Sequence, residues 1–315
     1  MISRTSNNPW PDLATLDLRP TIDALHLWSQ IVGKVRLMLT PWINHSWQAT
    51  FYLSGRGFTT GPIYANDGRA FEMQFDLLND LLRIDTAEGD ARRVKLEVQS
   101  VAAFYEATMA ALTELGLAVD IRRMPCEIPD AIAFNEDHAP RAYDADAARA
   151  YWRAMLQVQR VFLLFRSRFI GKCSPIHLFW GSFDLAVTRF SGRDAPPHPG
   201  GMPHVPNAVA REAYSREVSS AGFWAGIDQP AFYSYAYPAP NGFGIAKVEP
   251  EAATFDTQLG EFLLPYDAVR CSADPDAALL TFLQSTYEAA ANLAHWERSR
   301  LERAQGKLGQ CPDDA

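Results

Sequence analysis

The stretch that decides the fold is residues 174–190, SPIHLFWGSFDLAVTRF, which has the apolar and alternating pattern typical of β-strands. A single strand of this length would be long compared with the usual ~5–6 residues. We therefore predict a break near Gly181 and Ser182, with one strand on each side of it. The two strands would present side chains to both faces of a sheet.

Further strand-like runs lie on both sides of this stretch. Upstream, short alternating runs separated by turn residues predict an antiparallel meander with one buried face. These runs are HSWQATFYLS, RAFEMQFDLL, LLRIDT and RRVKLEV, followed later by LAVDIRRM. Downstream, the predicted strands are AYSREVSSAGFW, AFYSYAYP and GEFLLPYD.

Helices are predicted where apolar residues recur at helical spacing. The first begins near Thr21 and Asp23 and stops before Pro41. The later helices are predicted from Ser100 to Gly116, from Asp144 to Gly171, and from a capping Asp274 onward.

The order helix, strands, helix therefore occurs twice, and the fold class is predicted to be α+β with two similar helix–antiparallel sheet–helix halves. Each first helix carries a tryptophan, Trp28 or Trp152, near its start. An internal duplication would explain this repetition, and in that case the two halves would superpose. The predicted organisation is an N-terminal half 1–125, a linker or extended arm 126–143, a C-terminal half 144–303 with the candidate site, and a disordered tail 304–315.

Composition narrows the class of protein. The chain has 315 residues, 48% of them hydrophobic and 21% charged, which is typical of a globular protein. The net charge of −8 without a local basic cluster argues against nucleic acid as a partner. No apolar run approaches the ~18 residues of a membrane span, and the four cysteines are scattered as in a reducing compartment, which predicts a cytoplasmic protein. No motif identifies a cofactor or an oligomeric state.

Residues that carry chemistry concentrate between positions 171 and 226. We predict a small-molecule site in which histidines transfer protons while carboxylates orient the substrate or the base. Its proposed catalytic residues are His177, His198, Glu217 and Asp184, and its proposed ligand-binding residues are Trp180, Arg189, Trp224, Tyr233 and Tyr235. His177 and Glu217 are expected on adjacent strands, with His198 folding back from the connecting loop.

Two alternatives remain open at this point. The first is a non-catalytic module that binds a ligand or another protein through the same residues. The second is a metal-dependent enzyme, because His177, Asp184, His198 and Glu217 are acceptable metal ligands. However, His177 and Asp184 are seven positions apart and point to opposite faces of an unbroken strand. We therefore assign no metal ligand, and whether the protein is an enzyme is left open.

Several long blocks carry a family resemblance. They are ATLDLRPTIDALHLWSQIVGKVRLML, SPIHLFWGSFDLAVTRFSGR, APPHPGG, YSREVSSAGFW and FLLPYDAVR. With these blocks the chain resembles, from about Trp10 to about Glu302, a bacterial family catalogued as domain of unknown function five-nine-nine-six. The resemblance implies no particular reaction, cofactor or fold.

Overall fold

The framework consists of two antiparallel sheets whose edges meet, seen in a computed structural model that describes residues 8–225, 229–307 and 309–310. The α-helices are α1 Leu18–Leu39, α2 Val101–Glu114, α3 Ala145–Ser167, α4 Asn207–Ala213, α5 Tyr266–Arg270, α6 Pro275–Leu293 and α7 Arg298–Leu301. The strands are β1 Tyr52–Ser54, β2 Gly57–Tyr64, β3 Ala70–Asp76, β4 Leu81–Thr86, β5 Ala91–Lys95, β6 Gln99–Ser100, β7 Pro140–Arg141, β8 His177–Phe179, β9 Asp184–Asp194, β10 Arg216–Trp224, β11 Ala231–Tyr237, β12 Thr254–Asp256 and β13 Glu261–Pro265. Short 3-10 helices occupy Asn44–Ala49 and Phe243–Ile245.

The first sheet is a simple meander in the order β1-β2-β3-β4-β5, and the second has the order β12-β13-β11-β10-β9-β8. They join where Phe51 and Leu178 exchange two backbone hydrogen bonds of 2.9 Å. Helices and antiparallel sheets confirm the α+β class. The strand orders of the two sheets differ, which contradicts the prediction that the halves superpose as a duplication.

One hydrophobic core runs through both parts of the chain. Helix α1 packs against α2, α3 and the first sheet, whereas α3 and α6 pack against one face of the second sheet. Trp28 on α1 and Phe223 on β10 are both fully buried members of the same core. The opposite face of the second sheet is left for the site described below.

The predicted break in the central stretch is confirmed. Strand β8 ends at Phe179 and β9 begins at Asp184, and between them Phe183 has a φ of 56°. A left-handed residue cannot continue a strand, so the chain turns here and β8 and β9 form a tight antiparallel pair.

Helix capping follows the sequence closely. The side chains of Ser100, Asp144 and Asp274 each accept a hydrogen bond from a backbone N–H in the first turn of their helices, as predicted. Helix α1 begins earlier than predicted, at Leu18, and α3 ends at Ser167.

Two predicted strands are wrong. The beginning of HSWQATFYLS forms a 3-10 helix, because His45 and Ser46 have φ values of 63° and 59°, which no strand accommodates. The run LAVDIRRM forms no strand among the described residues, although Leu117 and Ile121 are buried. Its alternation reflects side-chain packing without a strand partner.

Residues 126–143, expected to be a linker or arm, lie against the body of the protein. Phe134 is fully buried there, and β7 pairs with β6. Of the C-terminal tail, residues 304–307 and 309–310 are described, and Gly306 N–H donates to the Ser167 hydroxyl at 3.2 Å. The remaining tail positions lie outside the described residues. None of the described helices has the length and apolarity that crossing a bilayer requires.

Candidate functional site

A cavity of about 490 Å³ lies on the face of the second sheet that points away from α3 and α6. Its cover is formed by the 3-10 helix Asn44–Ala49, the loop that precedes α4, and α4 itself. Its floor is formed by alternate residues of β9, namely Asp184, Ala186, Thr188 and Phe190. The period of two along the strand explains this set, because alternate side chains point to the same face.

Nine aromatic side chains line the cavity. They are Trp42, Trp47, Phe179, Trp180, Phe190, Tyr214, Trp224, Tyr233 and Tyr235. Tyr235 and Tyr214 are joined by their hydroxyls at 3.0 Å, and burial raises the pKa of both phenols. Such a wall offers a large apolar contact area with few polar atoms, which suits the apolar body of a small molecule.

Asp184 is the deepest carboxyl group of the cavity. It is 6% exposed and accepts hydrogen bonds from the hydroxyls of Ser182 and Tyr233. Burial raises the pKa of Asp184, and these two hydrogen bonds oppose the increase because they favour the carboxylate. Tyr233 reaches Asp184 across β10 at Gly222, where any Cβ would overlap the tyrosine ring.

Two glutamates line the same cavity. Burial and the nearby Asp184 charge raise the pKa of Glu127 to about 7. Burial, followed by the charges of Asp184 and Asp256, raises the pKa of Glu261 to about 7. Both groups therefore change protonation state close to neutral pH, which an ordinary glutamate does not.

No basic side chain neutralises these three carboxyl groups within the described residues. Asp184, Glu127 and Glu261 have no lysine, arginine or histidine at ion-pair distance in that part of the chain. They also do not converge as a metal site, since no group of three or more His, Cys, Asp or Glu among the described residues is arranged to hold an ion. The metal-dependent alternative therefore has no ligand set among those residues.

Two polar atoms on residues that line this cavity have no hydrogen-bond partner among the described residues. They are the indole Nε1 of Trp224 and the hydroxyl of Ser46, and both atoms are buried. A buried donor without a partner costs about 1–3 kcal/mol.

A polar stripe on α1 positions the loops that carry the cavity residues. His26 Nε2 donates to the carbonyl of Gly181 at 2.7 Å. Four residues later, Gln30 bonds to both backbone groups of Cys126, donating to its carbonyl at 2.9 Å and accepting from its N–H at 2.7 Å. Four residues further, the Lys34 ammonium lies 3.1 Å from Cys126 Sγ. The helix period of about four residues places all three side chains on one face.

A histidine and a lysine meet at the cover. His45 Nδ1 is 3.0 Å from the carbonyl of Ala213, and its Nε2 lies 3.0 Å from Lys172 Nζ. The first contact assigns the proton to Nδ1, so Nε2 accepts from the lysine. Burial and the Lys172 charge lower the pKa of His45, which keeps the imidazole neutral.

Comparison with known proteins identifies a family. Residues 10–303 match a family described as a family of unknown function (DUF5996). The chain belongs to this family. Neither a curated protein nor a solved structure matches it. The geometry of the cavity is therefore the basis for any functional conclusion.

The structure brings five of the residues proposed from the sequence into the cavity wall. They are Asp184, Trp180, Trp224, Tyr233 and Tyr235. Trp180 also donates from its indole to the carbonyl of Ala49, which fixes the cover over the sheet. Gly33 makes room for this ring, because a Cβ there would overlap it.

His177 lies outside the cavity wall, behind Trp47. It is 1% exposed, its Nδ1 is 2.9 Å from the Thr50 hydroxyl, and its ring lies 5.6 Å from that of Trp47. Burial, together with the charges of Arg36 and Arg166, lowers the pKa of His177 to about 3. An imidazole with this pKa is a poor general base at neutral pH.

Glu217 does not meet His177. The expectation that they sit on adjacent strands is wrong, because β9 lies between β8 and β10. Glu217 forms an ion pair of 2.6 Å with Arg193, which also donates to the carbonyl of Ala294 at the end of α6. This contact places Glu217 on the helix-covered side of the sheet.

His198 and Arg189 also have roles outside the cavity wall. The His198 ring stacks on Tyr214 at 4.6 Å, and its Nδ1 accepts from the N–H of Gly200 at 3.0 Å. Arg189 is fully buried on the opposite face of β9, where it donates to the backbone carbonyl of Phe165. Its guanidinium carbon lies 3.4 Å from the centre of the Phe165 ring. Its neighbours Thr188 and Phe190 face the cavity. Because successive side chains of a strand point to opposite faces, the Arg189 side chain points away from the cavity.

Sequence reasoning missed Glu127, Glu261, His45 and the polar stripe of α1. The two glutamates carry no local signal, since one follows a predicted strand in a Pro-rich segment and the other opens a strand. The stripe does carry a signal. His26, Gln30 and Lys34 recur every four positions in a helix that is rich in apolar residues, which indicates a polar line along one face.

Proposed function

We propose that this protein binds a small organic amine in the cavity of the second sheet, with the ammonium group at the carboxyls and an apolar body against the aromatic wall. The observation that carries the proposal is the set of Asp184, Glu127 and Glu261, which have no basic partner among the described residues. A buried carboxylate without a counter-ion is costly. An ammonium ligand would supply the missing charge.

The aromatic wall supports the same ligand class. Ammonium groups are attracted to the faces of aromatic rings, and sites for substituted ammonium ions combine such rings with carboxylates. Tyr233 and Trp224 line the cavity together with Asp184. Because the lining has few other polar atoms, a polyhydroxylated ligand would leave more of its hydroxyls unpaired than an amine with an apolar body.

Isothermal titration with a matched pair of probes tests this proposal. Phenethylamine and phenethyl alcohol have the same shape, and they differ in that only the amine carries a charge at neutral pH. We expect the amine to bind at least about ten-fold more tightly, a difference of ~1.4 kcal/mol. Asp184→Asn and Glu127→Gln should weaken amine binding, whereas Glu217→Gln, on the other side of the sheet, should not. Equal affinities for both probes would contradict the proposal.

A second candidate is acid–base catalysis on such a ligand. It is favoured by the pKa of about 7 for both Glu127 and Glu261, because a general acid or base works best near the operating pH. In this proposal the carboxyls, and not His177 or His198, transfer protons. Carbon NMR titration of the glutamate carboxyls measures these pKa values directly. Two ordinary glutamate values near 4 would remove the basis for this candidate.

We also propose that the protein works in a bacterial cytoplasm. Cys126, Cys173 and Cys271 are free thiols, as is usual in a reducing compartment. Thiol counting of protein isolated from its native cells with an alkylating quench would test the location. A disulfide among these three cysteines would contradict it.

A further inference from the structure

The contact between Lys34 and Cys126 has a chemistry that amine binding does not use. Lys34 is 3% exposed, which is rare for a lysine. The hydrogen bond that its ammonium makes within the described part of the chain goes to Cys126 Sγ at 3.1 Å. Its ammonium group also lies 5.7 Å from the centre of the Trp180 ring, within the range of a cation–π contact.

A buried ammonium group is costly unless a negative charge pairs with it, and the neighbouring thiol can ionise to supply that charge. No carboxylate of the described residues lies within ion-pair distance of Lys34. Ionisation of Cys126 would place a thiolate against the ammonium and pair both charges. The thiolate is the nucleophilic form of cysteine.

The cysteine is held in place and is open to the cavity. Gln30, which is fully buried, fixes both its backbone N–H and its carbonyl. Cys126 is half-buried and belongs to the cavity wall beside Glu127. Cys126 therefore borders the space that a small molecule in the cavity would occupy.

We infer that Cys126 is a reactive thiol that Lys34 stabilises as the thiolate, and that it forms covalent adducts with small α,β-unsaturated carbonyl compounds entering the cavity. The sulfur adds to the β carbon, so that a C–S bond forms while the C=C π bond breaks. The resulting enolate takes a proton at the α carbon from water or from the Glu127 carboxyl. The thiol proton leaves to solvent when the thiolate forms. No oxidant or reductant is required.

The other cysteines provide internal controls. Cys271 is exposed, so accessibility alone makes it more reactive than the half-buried Cys126. Burial raises the pKa of Cys173, which lowers its thiolate fraction. If Lys34 activates Cys126, then Cys126 reacts faster than Cys271. Accessibility alone predicts that Cys271 reacts faster.

Peptide-resolved mass spectrometry with limiting N-ethylmaleimide on the full chain tests the inference. We expect Cys126 to be alkylated at least about ten-fold faster than Cys271 in the unaltered protein. Lys34→Met should slow alkylation of Cys126 by about ten-fold and leave Cys271 unchanged. Lys247→Met, which removes an exposed lysine, should change neither rate.

Two results would overturn the inference. One is faster alkylation of Cys271 than of Cys126, a comparison made within the unaltered protein that needs no variant to fold. The other is an unchanged Cys126 rate in folded Lys34→Met, with circular dichroism as the measure of folding. The inference does not depend on amine binding, since N-ethylmaleimide carries no ammonium group. Its failure would leave the titration with phenethylamine unaffected.

Discussion

The phenol of Tyr233 on β11 donates a hydrogen bond to the Asp184 carboxyl on β9, across the intervening strand β10. The bond exists because Gly222 lies beneath the tyrosine ring. It helps to hold a negative charge inside an aromatic cavity, where burial, together with that charge, raises the pKa of Glu127 and Glu261. One contact between non-adjacent strands thus contributes to the electrostatics of the site.

Gly222→Ala should displace the Tyr233 ring and break its hydrogen bond. A Cβ at this position overlaps the ring, so we expect a loss of stability of about 1–3 kcal/mol and weaker binding of phenethylamine. Chemical denaturation and titration measure the two effects. Gly55→Ala is the control, because a Cβ there meets no atom within 4 Å. Equal stabilities of the two variants would contradict the packing described.

Tyr233→Phe should remove the hydrogen bond without the overlap. We expect a cost of about 1–3 kcal/mol at pH 8, because the buried Asp184 carboxylate loses a donor. The bond lowers the pKa of Asp184, so its loss matters when Asp184 is ionised and fades as the pH falls. Denaturation at pH 8 and pH 5 measures this difference. The control is Tyr237→Phe, which removes a hydroxyl that donates to the Pro196 carbonyl. Its effect on stability should lack this pH dependence.

Glu127→Gln should stabilise the protein at high pH. The folded-state pKa of Glu127 is raised to about 7, so folding favours the protonated form. The corresponding stability is present below the unfolded pKa near 4.5 and is lost as the pH rises through about 7. We therefore compare the Tm of the variant with that of the unaltered protein at each pH. The difference, variant minus unaltered protein, should increase by about 2–4 °C between pH 5 and pH 8.5. Glu217→Gln serves as the control. If the Tm difference between Glu127→Gln and the unaltered protein did not change with pH, the raised pKa of Glu127 would be refuted.

His177→Ala should affect stability more than ligand binding. The side chain is buried, bonds to Thr50 and packs against Trp47, so its removal should cost about 2–4 kcal/mol. The Kd for phenethylamine should change by no more than about two-fold, since His177 is not part of the cavity wall. His138→Ala at an exposed position is the control. A large loss of affinity with unchanged stability would restore His177 to the binding site.

The sequence alone determined the elements whose signals are local. Helix caps at Ser100, Asp144 and Asp274 depend on one side chain and the next turn, and all three were predictable. The break between β8 and β9 was predictable from the length of the apolar run. The period of two along β11 likewise placed Tyr233 and Tyr235 on one face.

The tertiary structure decided which of these faces meet. Strand order put β9 between His177 and Glu217, and no pattern within either strand contains that information. The tertiary structure also places Glu127, from a Pro-rich segment, and Glu261, from the start of a strand, near Asp184. Each glutamate is more than 50 positions away from Asp184 in the sequence. Periodicity reports the environment of a residue along its own element, whereas a site depends on contacts between elements distant in sequence. Burial then acted on these contacts, because removing carboxyls from water is what raised their pKa values.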